Sequence, residues 1–82
     1  MTHQVVLSEQ AKTFPKGIYE HYKGNRYEVL TIAFNEATLE EYVVYKELYG
    51  EGRVWLRPLR VFCEEVRMGN GTVPRFRYVY TS

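Results

Sequence analysis

The stretch GIYEHYKGNRYEVLTIAF, residues 17–34, decides the fold: two runs rich in Tyr, Val and Ile lie on either side of a Gly-Asn pair. β-branched and aromatic residues fit a pleated, half-buried surface, and Gly-Asn between two such runs marks a hairpin. The pattern predicts a strand over 18–23 and a second over 26–34, joined by a two-residue II′ turn at Gly24-Asn25 in which Gly24 takes the positive φ. On the second strand Leu30, Ile32 and Phe34 fall on one side and Tyr27, Val29 and Ala33 on the other. Neither side is polar, which fits a long bent strand shared between two sheets.

Downstream, a looser turn at 35–38 leads into a third strand over 39–49, and Gly50-Glu51-Gly52 turns the chain into a short fourth strand over 54–57. Pro58 ends that strand and opens a single helical or 3₁₀ turn over 58–62, with Leu59 and Phe62 on one face. A strand over 64–68 follows, then a reversal at Gly69-Asn70-Gly71 of the I′ kind, then a last strand over 75–80, with Pro74 marking an edge or bulge. The fold class is therefore all-β: a small, partly open SH3-like barrel or roll of five to six antiparallel strands in two orthogonal sheets, with one short 3₁₀ turn. Residues 1–16 show no sustained periodicity, and Phe14-Pro15 stops a helix from running on into Gly17. They form a lead-in with room for flexibility, for an extra strand or for one helical turn capped by Ser8. Residues 17–82 form the single β domain.

With 82 residues there is room for one core, supplied by eight Tyr, four Phe and one Trp. The single cysteine, Cys63, forms no intramolecular disulfide and belongs to no zinc-binding cluster, which fits a reducing, cytoplasmic setting. No apolar run approaches the roughly 20 residues needed to span a bilayer, so a soluble chain without a membrane role is expected. The net charge of +1 gives no global argument for nucleic acid. It is unevenly spread: residues 1–52 carry five Lys or Arg against eight Glu (−3), residues 53–82 six Arg against two Glu (+4).

Four blocks carry a resemblance: GIYEHYKGNRYEVL at 17–30, EYVVYKELYG at 41–50, WLRPL at 55–59 and VPRFRY at 73–78. In this order they resemble a small bacterial family known as domain of unknown function 1653, over roughly 17–79. The resemblance implies an SH3-type β-roll found alone or appended to other proteins, with no established activity or ligand to carry over.

Catalysis needs a nucleophile or an acid–base pair held by an orienting group. Only His3, His21 and Cys63 qualify at neutral pH. His3 falls in the lead-in, and Cys63 follows the helical turn, where a free cysteine is ordinarily a small buried apolar residue. His21 lies mid-strand without a second ligand at metal spacing. No enzyme, metal or cofactor is expected. The eight tyrosines exceed what so small a core hides, and together with Trp55 they suit an aromatic groove for an extended peptide. The candidate binding surface is His21, Tyr45, Trp55 and Arg57, for a protein or peptide partner, with the chain a monomer or weak homodimer. The rival is single-stranded nucleic acid on a basic patch of Arg57, Arg60, Arg67, Arg75 and Arg77 interleaved with aromatics. Strand alternation weakens the rival by placing Arg75 and Arg77 opposite Phe76 and Tyr78, and pairing with Glu40, Glu41, Glu47, Glu64 and Glu65 would neutralise it.

Overall fold

The computed structural model describes residues 5–81, so His3 lies outside the described residues. They form α1 (Glu9–Thr13), β1 (Gly17–His21), β2 (Arg26–Phe34), β3 (Glu41–Glu47), β4 (Val54–Pro58), α2 (Leu59–Phe62), β5 (Glu65–Met68), β6 (Gly71–Pro74) and β7 (Phe76–Tyr80). Five strands make one sheet in the order β4-β3-β2-β1-β7, and β5 and β6 make a separate hairpin. Every pairing is antiparallel. The chain is all-β, as its strand-and-turn pattern implies. The large sheet ends on β4 and β7, so it is open and closes no barrel.

Seven strands stand where five to six were expected, because the last run divides at Pro74. A proline has no N–H to extend a ladder. The chain changes sheets at the next residue: the Arg75 N–H donates to the Glu64 carbonyl at 2.9 Å, and the Arg75 carbonyl accepts from the Tyr22 N–H at 3.0 Å. The turn after Pro58 is α-helical rather than 3₁₀, since the Cys63 N–H reaches the Leu59 carbonyl four residues back at 3.0 Å.

Two turns also differ from expectation. In the first hairpin the Gly24 N–H bonds the His21 carbonyl at 2.7 Å and the His21 N–H bonds the Asn25 carbonyl at 2.8 Å. The loop is thus the three residues Tyr22, Lys23 and Gly24, closed by Gly24 at φ +110°, which an L side chain seldom adopts. In the second, Met68 pairs with Gly71, and Gly69 alone of the two loop residues has positive φ. A I′ turn needs positive φ at both, so this loop has the II′ pattern instead.

A bulge at Leu30 on β2 explains the ambiguous faces of that strand. Tyr27 and Val29 pair with Glu47 and Tyr45; past the irregularity, Ile32 and Phe34 pair with Val43 and Glu41. One extra residue shifts the phase of the alternation, so all four point to the same concave face. Leu59 and Phe62 of α2 are buried against that face, as their spacing requires. There Phe62 stacks on Phe76 at 4.0 Å with rings 2° from parallel, and Tyr19 and Tyr45 meet Phe62 edge-on at 5.4 Å.

Part of the expected lead-in joins this core. Ser8 caps α1 by accepting from the Ala11 N–H at 3.1 Å, and Ser8 donates from both N–H and hydroxyl to the Glu41 carboxylate at 2.7 Å. Ala11 is buried, and Phe14 stacks on Tyr19 at 5.5 Å. The two short helices thereby roof one end of the concave face and leave the other end bare.

Candidate functional site

The bare end is a cleft of about 220 Å³ lined by Tyr27, Tyr45, Glu47, Tyr49, Trp55 and Arg57. Alternation builds it. Val43, Tyr45 and Glu47 face inward from β3, and the register of β4 sets Trp55 beside Tyr45 and Arg57 beside Val43. The β3–β4 loop returns Tyr49 over β2, where its hydroxyl lies 2.6 Å from that of Tyr27 and the two rings meet edge-on.

Glu47 organises one wall. It is the buried charged residue of the described chain, only 6% exposed. Its Oε2 accepts from the Trp55 indole N–H at 2.8 Å and its Oε1 from the Arg53 backbone N–H at 3.1 Å, with the Arg53 guanidinium 3.8 Å away. The indole bond, assisted by Arg53, holds the Glu47 carboxyl below its ordinary value, against the opposing push of desolvation. Trp55 itself is 46% exposed. A buried anchor thus fixes the orientation of a ring that stays in contact with solvent.

Arg57 forms the opposite wall. Its Nε donates to the Tyr45 hydroxyl at 3.2 Å, and its guanidinium lies 5.6 Å from the centre of the Phe76 ring. Among the described residues no carboxylate pairs with it. The donors on its terminal nitrogens are left to face the cleft's surroundings. Desolvation and the Tyr49 hydroxyl bond push the Tyr27 phenol well above its ordinary value, and burial takes Tyr19, in the core, up to about 12. Both stay neutral hydrogen-bonding groups at physiological pH.

Of the four residues that the sequence nominates for a binding surface, Tyr45, Trp55 and Arg57 line this cleft. His21 stands beside it, its ring 4.9 Å from Phe76 and 6.4 Å from Tyr27, while also lining a neighbouring hollow with Tyr22, Met68 and Arg77. Its Nδ1 accepts from the Lys23 N–H at 3.2 Å. Desolvation first, then the positive charges of Arg57, Arg75 and Lys23, lower its pKa and keep it neutral. Tyr27 and Tyr49 enter the sequence reading only among the eight tyrosines of the aromatic groove, and Glu47 escapes it as a cleft residue. The signal for Glu47 is its place two residues after Tyr45 and four after Val43, on the inward face of a strand.

Three of the five arginines of the alternative patch are paired with carboxylates. Arg60 bonds Glu40 at 2.8 Å, Arg75 bonds Glu64 at 3.5 Å and Arg77 bonds Glu20 at 3.1 Å. Arg67 lies on the β5–β6 hairpin, lining the hollow at its tip, and Arg57 belongs to the aromatic cleft. Cys63 is exposed rather than buried, because it caps the end of α2; its thiol is nonetheless pushed up by partial desolvation, which disfavours the nucleophilic thiolate. Among the described residues no three His, Cys, Asp or Glu side chains are placed to hold a metal, and no helix is long and apolar enough to cross a membrane.

Fold and cleft define a class: a small antiparallel β domain with a roofed aromatic core and an unroofed aromatic end. The sequence matches the profile of the family described as protein of unknown function (DUF1653) over residues 17–78, and the chain belongs to that family. It is similar to the crystal structure of a protein of the same family from Bordetella bronchiseptica, with 39% identity and a TM-score of 0.79, over 88% of this chain and 95% of that one. Among curated proteins none matches.

Proposed function

We propose that this chain is a non-enzymatic binding domain that recognises a segment of another protein in the Tyr27–Tyr45–Trp55–Arg57 cleft. The observation that carries the reading is the bond from the half-exposed Trp55 indole to the buried Glu47 carboxylate. A ring that serves only to fill a core needs burial, and a ring that serves a partner needs a fixed orientation with its face open. Trp55 has the second arrangement. Tyr and Trp side chains held in place before binding lose little entropy on contact, which is why such platforms suit extended, Pro- or aromatic-containing peptides. The single unpaired cysteine fits a cytoplasmic location, and nothing in this mode of recognition calls for a cofactor or a membrane.

Nucleic-acid binding has less support, since three of its five arginines are already engaged by carboxylates. Selection of peptides from a random display library on the immobilised chain tests the proposal, followed by titration of the synthetic peptides while Trp55 fluorescence is read. Saturable binding that perturbs Trp55 is expected. Failure to enrich any sequence, or enrichment of peptides that leave Trp55 fluorescence unmoved, overturns it.

A further inference from the structure

The cleft opens directly onto a free strand edge. Among the described residues β4 ends the sheet order and pairs only with β3. Three consecutive residues on it are exposed and apolar: Val54, Trp55 and Leu56. The Glu47 N–H bonds the Arg53 carbonyl at 2.9 Å, which sets the phase of the β3–β4 ladder. By the alternation of antiparallel pairs, Trp55 and Arg57 exchange hydrogen bonds with Tyr45 and Val43, while Val54 and Leu56 turn their backbone groups outward. Each of these two then offers one N–H and one C=O to whatever lies alongside. Such an edge is a template for a further strand.

The side chains say what that strand carries. A strand laid beside β4 puts every second side chain on the concave face, level with Trp55 and Arg57 and two residues apart. For an antiparallel strand these are the non-hydrogen-bonded positions of the new pair, where opposed side chains come closest. Arg57 has no carboxylate partner among the described residues, and its Nε and ring contacts fix the guanidinium in place. The side chain between them meets Leu56 on the other face, at the hollow that Leu56 lines with Ala33 and Tyr42.

We infer that the ligand is an acidic peptide that adds to β4 as a sixth strand of the large sheet, with a carboxylate on Arg57, an apolar residue against Leu56 and a ring against Trp55. This rests on the binding proposal above and specifies its mode. An antiparallel strand runs from the Arg57 end to the Trp55 end, so its order is Asp-Val-Phe; a parallel strand reads Phe-Val-Asp.

The test uses two acetylated, amidated nonapeptides with Asp-Val-Phe or Phe-Val-Asp at their centres, titrated into the full chain by NMR and calorimetry. At least one is expected to bind and to shift the Val54 and Leu56 amides. Asp→Asn in that peptide is expected to weaken binding about tenfold, as loss of a charge-assisted bond does. N-methylation at the N–H that reaches the Leu56 carbonyl, that of the central Val in Asp-Val-Phe or of Asp in Phe-Val-Asp, is expected to weaken it at least as much. On the Arg57→Gln variant the Asp and Asn peptides should bind equally. If library-selected peptides bind while neither nonapeptide does, or if N-methylation has no effect and the shifts centre on Tyr27 and Tyr49, edge addition is wrong and recognition in the cleft stands. If no peptide binds at all, both fall. Concentration-dependent dimerisation of the free chain that protects the Leu56 amide makes a second copy the occupant and also overturns the inference.

Discussion

The concave face of this sheet has two ends made from the same strands and the same kinds of residue, and they differ in what covers them. At one end α1 and α2 close over Tyr19, Val29, Val43 and Phe76, and Phe62 is 1% exposed. Rings there are held by one another, stacked or edge-to-face. At the other end no helix covers Tyr49 and Trp55, and polar bonds hold the rings: Trp55 to Glu47 and Tyr27 to Tyr49, while Tyr45, buried against Phe62, links the two ends and takes a bond from Arg57. Packing fixes a side chain by excluding solvent. Hydrogen bonding to a buried anchor fixes it without doing so, and leaves its face available. Aromatic content alone does not separate core from surface, nor does a polar partner, since buried Tyr19 donates to the Pro15 carbonyl at 2.6 Å; what sets Trp55 apart is a buried anchor on a ring that is itself exposed.

The largest effect that tests this contrast is at the roofed end. Phe62→Ala should cost about 3–5 kcal/mol in urea unfolding, because it removes a ring that touches Tyr19, Tyr45 and Phe76 and leaves a cavity. A loss under about 1 kcal/mol would show that α2 is not a true roof. Ser8→Ala should cost about 1 kcal/mol through loss of the α1 cap, and the Phe14 and Ala11 amides should exchange faster. An unchanged exchange pattern would mean α1 is held by Phe14 alone.

Smaller effects are expected at the bare end. The Glu47 pKa is lowered in the folded chain, so the stability that this group contributes is complete above the unfolded value of about 4.3 and is lost as pH falls through the lower folded value. Trp55 emission should therefore hold steady from neutral pH down to about 4.5 and change only below it. A transition centred at or above the ordinary value would contradict the anchoring role. His21, whose pKa is also lowered, binds its proton more weakly folded than unfolded. Stability linked to it is full above about 6.5 and declines as pH drops below that value, and the ring protons should titrate in NMR with a midpoint below 6.5.

Much of the fold was legible because its signals are local. Turn residues and apolar runs placed every strand of the large sheet to within a few residues, and the Leu59–Phe62 spacing placed the roof. What was not legible depends on register. No local feature marks Leu30 as a bulge, yet that one residue decides that Tyr27 and Ile32 share a face. Likewise Pro74 announces an edge or bulge without saying that the chain leaves one sheet for another. Tyr45, Trp55 and Arg57 are legible as candidates because the tyrosines exceed what so small a core hides and Trp55 lies two residues from Arg57. Glu47 reads as a neutralising charge; alternation with Val43 and Tyr45 marks its inward face, but its bond to Trp55 follows from the pairing of β3 with β4.

The most direct measurement of the central claim is made on Trp55→Ala, with thermal unfolding and affinity for a library-selected peptide determined on the same preparation. The melting temperature should fall by about 4–8 °C, as expected for about 1 kcal/mol lost with the Glu47 bond and well short of the fall for Phe62→Ala, and affinity should drop more than tenfold. Retained affinity together with a melting temperature that falls as far as that of Phe62→Ala would contradict the claim, and would make Trp55 one more ring of the core.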